Sequence, residues 1–545
     1  MSKSEYGADR RSDPVPAPAC PRFPWAWLLV FPRRRIVVDA LVLTILAGIC
    51  CFFRLSEGTL LGDEAAFACT TDRMRATGDW VVPCIADKPH LNATPLYNWL
   101  TLALVPWSDG TPLWYRFWSA AFGVGCVLMG YALGALLFRA EVGLLAGLFL
   151  AFNRNFLFCH GIRFGGMDAM LAFFVSAAAF CYAWLQTRPA RAGRAWALLG
   201  LCIGAACLSK PPVFGGFFLT LIILHWLVTR RRGPLAVRVV GPLLAVAAGL
   251  LVAAPWYVLL WSRLGNPCLH VLFIYNSVDR ALDPTLRDFL CCHRAVWDAS
   301  SAFKLMEPGL ACALGCWLTN QRRPQWGLLL FLAGGYLLAL TAAGKAGNYI
   351  YYAFPLLAVL LAGLFLESGP RLVAWRRPGL ARTTALAGLG LAVVLVGADC
   401  IRTLRVLAGP VWVHPPVGIY ERLAAELAQR RCRFVLFDFP FPDGTTASGR
   451  SSGNFEDLYY PAHMPLADRA RDVKELSSLL ADGRPAVVLF PPLTVPQPRL
   501  ADLRPEVRVA ENRWPFYTYP VLAFHGAAAK IPPAELVRLA RGSQP

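Results

Sequence analysis

Along most of the chain, long apolar stretches alternate with short polar ones. A helix that crosses a hydrocarbon core needs about 20 apolar residues. Eleven stretches approach that length, at 36–54, 114–137, 141–158, 169–186, 195–209, 212–229, 239–261, 303–319, 326–342, 349–366 and 383–399. The pattern predicts an α-helical polytopic membrane protein with about eleven spans. Residues 24–32 are too few to span. The polar, Pro- and Arg-rich residues 1–35 precede the first long run, and no small-residue cleavage site follows it, so that run reads as a retained anchor.

The loops between these stretches are unequal in charge. With the N-terminus inside, the inner loops hold Arg139, Arg188, Arg191, Arg194, Arg230, Arg231, Arg232, Arg238, Arg322, Arg323, Arg371, Arg376, Arg377 and Arg382. The opposite loops are poorer in cations for their length, which is the expected bias for the outer side. An odd number of spans then leaves the C-terminal end outside. Three outer segments are too polar to span: 55–113, about 159–168 and 262–302. The first contains an amphipathic helix from Asp63 to about Thr77, ended by Gly78, and an apolar stretch from Pro95 to Trp107 expected to lie along the interface. The third holds Arg263, Tyr275, Asn276, Arg280, Arg287 and His293.

After residue 410 the periodicity changes. Helical patterning (Ile419–Arg430, Asp472–Ala481) alternates with strand-like runs (Phe434–Phe439, Ala486–Phe490, Val507–Ala510, Tyr519–Phe524). This predicts a small soluble α/β domain, with Gly444–Gly453 as a flexible loop. The chain thus divides into a cytoplasmic tail (1–35), a membrane domain (36–400) with a large outer loop (55–113), and an extracytoplasmic α/β domain (401–545).

Composition agrees with a membrane solvent. The chain is 56% hydrophobic and only 16% charged, with a mean hydropathy of +0.47, whereas soluble domains carry about 25% charged residues. The net charge of +19 is scattered in short loop runs, not gathered in one domain, so nucleic acid is not an expected partner. Many of the seventeen cysteines lie inside apolar stretches, where they act as small hydrophobes. No C-x-x-C and no Cys/His cluster of zinc spacing occurs; Cys69 and Cys84 share one loop and could pair.

Candidate chemistry sits in the outer segments. Asp63 and Glu64 follow the first span closely, where acids are costly unless solvated, paired or used; an N-cap with an acid in the first turn is the structural alternative. Asp168 closes Gly161-Ile-Arg-Phe-Gly-Gly-Met-Asp168 just before an apolar run, and could equally cap that helix. Its outward side matches that of Asp63. Lys88, Arg163, Lys210, Arg280 and Lys345 lie on the same side; each alone could snorkel to lipid headgroups. Together they describe a cationic ring around two acids, suited to an anionic lipid headgroup.

The run from Gly62-Asp-Glu-Ala to Gly78-Asp-Trp80 resembles the first outer loop of the bacterial aminoarabinose transferases and protein-mannosyltransferase-like enzymes of the type C glycosyltransferase superfamily. The resemblance continues through Lys88-Pro-His, Pro95-Leu-Tyr-Asn-Trp-Leu100, Arg163 to Leu171, Leu208-Ser-Lys-Pro-Pro212, Pro255-Trp-Tyr257, Asn276 to Arg280 and Lys345 to Pro355, in family order across 36–400. It implies transfer of one sugar from a polyprenyl-phosphate carrier to an acceptor outside the bacterial inner membrane, with inversion. The acceptor could be lipid A, another glycolipid, a glycan or a protein. It implies Asp63 as the base, Asp168 assisting, Glu64 supporting, and Lys88, Lys210, Arg280 and Lys345 on the donor phosphate. Arg163, Tyr275, Asn276 and Tyr349 are further residues expected to line the substrate cavity.

The chain also departs from the family. The family's Glu-Lys-Pro-Pro-Leu reads Asn92-Ala-Thr-Pro-Leu96 here, which removes the phosphate-binding lysine and an acidic metal ligand; the partner histidine is Tyr275. No cofactor is expected, while a divalent metal stays open as an alternative whose family ligands are absent here. Two other readings remain open: a flippase for a lipid-linked substrate, opposed by polar residues clustering in outer loops rather than at midplane, and an inactive relative.

Overall fold

The computed structural model of the 545-residue chain describes residues 33–57, 60, 63–85, 88–91, 94–104, 111–158, 160–187, 192–230, 234–279, 294, 297–319, 324–343, 347–368, 381–409, 424–437, 468–470, 473–490, 508–509 and 521–525. Ten helices come first: α1 (Arg33–Phe52), α2 (Asp63–Thr77), α3 (Pro95–Leu102), α4 (Pro112–Leu137), α5 (Ala140–Ala151), α6 (Arg154–Phe158), α7 (Asp168–Thr187), α8 (Ala192–Ser209), α9 (Pro212–Thr229) and α10 (Leu235–Leu264). Proline opens α3, α4 and α9, where its missing N–H leaves no intrahelical bond unmade.

Eight helices among the described residues are long and apolar enough to cross a membrane: α1, α4, α7 to α10, and the helices Pro324–Thr341 and Tyr349–Glu367. The protein is an integral membrane protein. Its outermost helix faces carry large exposed apolar side chains, such as Leu251 and Val258 on α10, as a lipid solvent requires. Close crossings depend on small residues. Gly200 and Gly204 of α8 lie against the Ala245 and Gly249 carbonyls of α10, so a methyl group at either would collide with backbone.

Three expected spans take a different form. The run at 141–158 is broken into α5 and α6. Asn153, fully buried at the break, accepts the Phe156 N–H at 3.0 Å through Oδ1 and starts a new helix there. The run at 303–319 is a short turn followed by the helix Met306–Thr319, and 383–399 lies within a longer helix, Ala381–Ala408.

Contacts sort the helix ends into two groups. At one end Arg54, just past α1, donates to the carbonyls of Leu407 (3.3 Å) and Gly409 (3.0 Å). Thr403 donates to Phe152 after α5 (3.3 Å). At the other end Arg35 pairs with Glu141 (2.7 Å) and Arg139 with Glu367 (2.9 Å). The chain therefore leaves the bundle at Gly409 on the same side as the 55–113 loop.

That loop contains the two-stranded hairpin β1 (Cys84–Ile85) and β2 (Lys88–Pro89). Cys69 and Cys84 are not joined by a disulfide, so the pairing considered above does not form; burial pushes the Cys69 thiol up to about 12.

Beyond the bundle, β3 (Arg433–Phe437), β4 (Asp468–Ala470), β5 (Ala486–Phe490), β6 (Arg508–Val509) and β7 (Val521–His525) form one mixed sheet in the order β4-β3-β5-β7-β6. β3 pairs in parallel with β4 and β5, while β7 is antiparallel to β5 and β6. The helix Val473–Leu480 makes the crossover that parallel strands need. Gly444–Gly453 lies outside the described residues.

Candidate active site

The starts of α2 and α4 meet at the loop 160–167 that leads into α7, and Lys210, just after α8, reaches Asp168 at the start of α7. Ile162 and Arg163 donate their N–H groups to the carbonyls of Phe156 (2.6 Å) and Leu157 (2.9 Å). At Gly161 a methyl group would overlap the Phe156 carbonyl, so only glycine allows this close return of the chain.

Asp63 is the first residue of α2, and its carboxylate is exposed. It makes no hydrogen bond or ion pair among the described residues. Its negative charge lies where the α2 dipole favours it, and Gly78, at a φ of +69°, ends the helix. Buried Ala65, Ala66, Ala68 and Met74 hold α2 in place. The Tyr115 hydroxyl of α4 donates to Asp72 (2.8 Å). His90 lies close enough to feel the Asp63 charge. Burial pushes its imidazole down to about 4 against that pull, so it is neutral at neutral pH and forms no ion pair with Asp63. Its Nδ1 is 3.4 Å from Thr70 Oγ1, whose hydroxyl donates to Ala66 at 2.8 Å.

Glu64 has a different environment. Buried at 1% exposure, it accepts from Arg116 at 2.8 and 2.9 Å and from the Gly165 N–H at 2.6 Å. Arg116 also donates to the carbonyls of Leu55 (3.2 Å) and Glu57 (2.9 Å). This bidentate pair ties the start of α2 to α4 and to the loop that leads into Asp168. Both Glu64 oxygens are thereby committed, which fits a supporting role and leaves no free oxygen for a substrate proton.

Asp168 opens α7 and is buried. Its Oδ1 accepts from the Lys210 ammonium and from the Tyr352 hydroxyl (2.6 Å). Lys210 also donates to Tyr352, and it lies over the rings of Tyr349 (4.7 Å), Tyr352 (4.9 Å) and Phe214 (5.7 Å). Asp168 is thus more than a helix cap, since it anchors residues 42 and 184 positions away. An ammonium has three N–H donors; Asp168 and Tyr352 engage two.

Of the other candidates, Arg163 is turned away from this cluster. It donates to the carbonyls of Cys50 (2.9 Å), Cys51 (3.1 Å) and Phe53 (2.8 Å). The end of α1 leaves such carbonyls without helical partners, so Arg163 caps α1. Tyr349 is half-buried and stacked on Tyr352, with ring centres 6.1 Å apart. Tyr275 is exposed on the helical segment His270–Asp279. Lys88 lies on β2, but its side chain and that of Asn276 lie outside the described residues, as do Arg280 and Lys345 altogether. Tyr352 and Arg116 were not singled out from sequence. Tyr352 lies inside the Lys345 to Pro355 stretch, a signal that could have found it; Arg116 reads as an ordinary helix-start cation. The metal implied by the resemblance is a poor fit. Tyr275 offers a neutral phenol where a histidine ligand is expected, and no step below uses a metal.

Residues 64–264 match the dolichyl-phosphate-mannose-protein mannosyltransferase family. An undecaprenyl phosphate-alpha-4-amino-4-deoxy-L-arabinose arabinosyl transferase from Pectobacterium carotovorum subsp. carotovorum is 25% identical over 354 residues, 61% of this chain and 61% of that protein. Its counterpart numbered 1 in Sodalis glossinidius is 26% identical over 388 residues, 66% and 65% of the two chains. The match thus spans about three fifths of the Pectobacterium relative's length. Among solved structures, ArnT from Cupriavidus metallidurans bound to undecaprenyl phosphate aligns over 94% of this chain and 100% of that one, with a TM-score of 0.59 and 18% identity. The oligosaccharyltransferase AglB from Archaeoglobus fulgidus aligns over 85% and 70%, with a TM-score of 0.50 and 13% identity. The chain thus shares its fold with ArnT from Cupriavidus metallidurans, and residues 64–264 are similar to the dolichyl-phosphate-mannose-protein mannosyltransferase family.

Proposed function

We propose that the chain is a glycosyltransferase that moves one sugar from a polyprenyl-phosphate carrier to an acceptor on the face of the membrane that carries Asp63. The observation that supports it most is the contrast among the three acids: Asp63 is exposed and unpartnered among the described residues, while Glu64 and Asp168 are buried and paired. In this reading the acceptor hydroxyl oxygen attacks the anomeric carbon on the side opposite the phosphate. The bond from that carbon to the phosphate oxygen breaks, polyprenyl phosphate leaves with the electron pair, and the hydroxyl proton passes to Asp63. The anomeric configuration inverts. A phosphate is a good leaving group once its developing charge is stabilised, so one carboxylate base within hydrogen-bond reach suffices on the protein side.

Lys210 supplies part of that stabilisation through its remaining N–H, held in direction by Asp168 and Tyr352. Lys88, Arg280 and Lys345 are the further phosphate-binding cations in this reading, in place of the family lysine whose position is Ala93 here. The membrane domain crosses eleven times with the N-terminus in the cytoplasm, which places Asp63 and the 433–525 sheet on the periplasmic face of an inner membrane. The acceptor in this reading is lipid A, another glycolipid, a glycan or a protein.

The test is transfer of radiolabelled sugar from a polyprenyl-phosphate donor in purified membranes, with products resolved by mass spectrometry. A labelled acceptor is expected. Donor that crosses the membrane unchanged would establish a flippase instead, and no movement of label would establish an inert relative.

A further inference from the structure

The loop 160–167 presents one side chain that neither the fold nor the proposed reaction uses. His160 is exposed and forms no hydrogen bond or ion pair among the described residues. Its backbone stands at a φ of +50°, a left-handed conformation uncommon outside glycine. The residues that follow are fastened in place: Gly161 closes on the Phe156 carbonyl, Arg163 holds the carbonyls at the end of α1, and the Gly165 N–H holds Glu64. His160 is therefore displayed from a fixed loop.

Its ring lies on that of half-buried Phe164, with centres 4.4 Å apart and planes tilted by 41°. Phe164 leads on to α2. A methyl group on Gly166 would meet Phe164 Cδ1 at 3.3 Å and Phe67 Cε2 at 3.4 Å, so both rings border that glycine. Phe67 follows Asp63 by one turn on the same face of α2, and Gly165 binds Glu64, the residue next to Asp63. The His160–Phe164 pair thus stands beside the first turn of α2. No hydrogen bond or ring contact joins it to Lys210, Tyr349 or Tyr352 among the described residues. In the reaction proposed above, that is the acceptor side of the site and not the phosphate side.

Covering Phe164 would need only an apolar side chain, and a left-handed position suits glycine better than histidine. A ligand accounts for both choices. Imidazole nitrogens donate to or accept from a hydroxyl, and the negative face of an aromatic ring attracts the C–H bonds along one face of a sugar. A polypeptide acceptor would be read through its backbone, yet the N–H groups of Ile162, Arg163, Gly165 and Gly166 are already engaged. We infer that His160 and Phe164 form a subsite for a saccharide acceptor, holding one of its hydroxyls while another faces Asp63. The inference rests on the sugar transfer proposed above and narrows its acceptor to a saccharide.

The test treats the full-length protein in lipid nanodiscs, without donor, with diethyl pyrocarbonate and follows modification of His160 by mass spectrometry. Lipid A, whose headgroup is a glucosamine disaccharide, should slow that modification about fivefold when present at about four times its Kd. Phosphatidylglycerol, anionic but without a sugar ring, and a serine-rich peptide should leave it unchanged. Equal protection by either would overturn the inference, as would no protection by lipid A. In the transfer assay His160→Phe keeps a ring over Phe164 and removes the nitrogens. It should raise the KM for lipid A about fivefold, as loss of one hydrogen bond implies, with kcat and donor KM within about twofold of wild type. His160→Asn restores a polar group that tolerates the left-handed backbone and should recover part of the loss. Protection needs no turnover. His160 shielded by lipid A in a chain that transfers no label would keep the subsite and retire the reaction; transfer at an unchanged acceptor KM in His160→Phe would retire the subsite and keep the reaction.

Discussion

The helix starts at α2 and α7 each present an aspartate on the same side of the bundle, in opposite surroundings. At α2 the Asp63 carboxylate is exposed, and its ionisable neighbour His90 is held neutral. At α7 the Asp168 carboxylate is buried under Lys210 and Tyr352. A group that must take a proton from an arriving substrate needs an open lone pair. A group that must hold a cation in one direction needs the reverse. Glu64, adjacent to Asp63 in sequence, belongs with Asp168 in this respect: its charge fixes the frame in which Asp63 stands.

That division can be broken at several points. The largest effect on stability is expected from Arg116→Met, which strands Glu64 as a buried unpaired charge and should cost about 3–5 kcal/mol. Glu64→Gln/Arg116→Met should recover part of it, in denaturant unfolding of protein in lipid nanodiscs. A loss below about 1 kcal/mol would show that this pair is no brace.

His90 should contribute next, and only in acid. The unfolded chain binds a proton near 6.5 that the folded chain refuses until about 4, so its share of stability is full above pH 6.5 and falls as pH drops toward 4. The difference between wild type and His90→Gln should change by up to about 1.4 kcal/mol per pH unit in that window. A constant difference would mean that His90 is solvated.

Tyr352→Phe removes one hydrogen bond to the Asp168 charge and leaves the ring over Lys210. A loss of about 1.5–3 kcal/mol is expected; none at all would mean that the cluster is loosely held. The smallest effect belongs to Asp63→Asn, which should shift unfolding by no more than about 0.5 kcal/mol, as at other exposed positions without partners.

The helix Asp63–Thr77 with its glycine stop was legible from its terminal residues, though it buries small and polar side chains such as Glu64, Thr70 and Thr71 instead of one apolar face, and the strand Ala486–Phe490 was legible from its run of apolar residues. The break at Asn153 was not. One buried side-chain hydrogen bond overrides a run that is apolar on either side of it, and hydropathy does not register it. The acids could be placed on one side, but the ring of free cations could not be checked against its partners. Lys210 meets Asp168 and Tyr352, and Arg163 meets the α1 carbonyls, only through packing of distant segments. Arg116 was passed over for the same reason: 52 positions separate it from Glu64.

The central claim is that Asp63 carries the proton transfer while Asp168 and Glu64 position. It is tested most directly by single-turnover sugar transfer from a polyprenyl-phosphate donor with Asp63→Asn, at protein levels and unfolding midpoints matched to wild type. A general base contributes about 10²–10⁴-fold, so the rate should fall by that factor with donor binding retained. A rate within about threefold of wild type, far short of a general base's contribution, would contradict the account and remove Asp63 as the base.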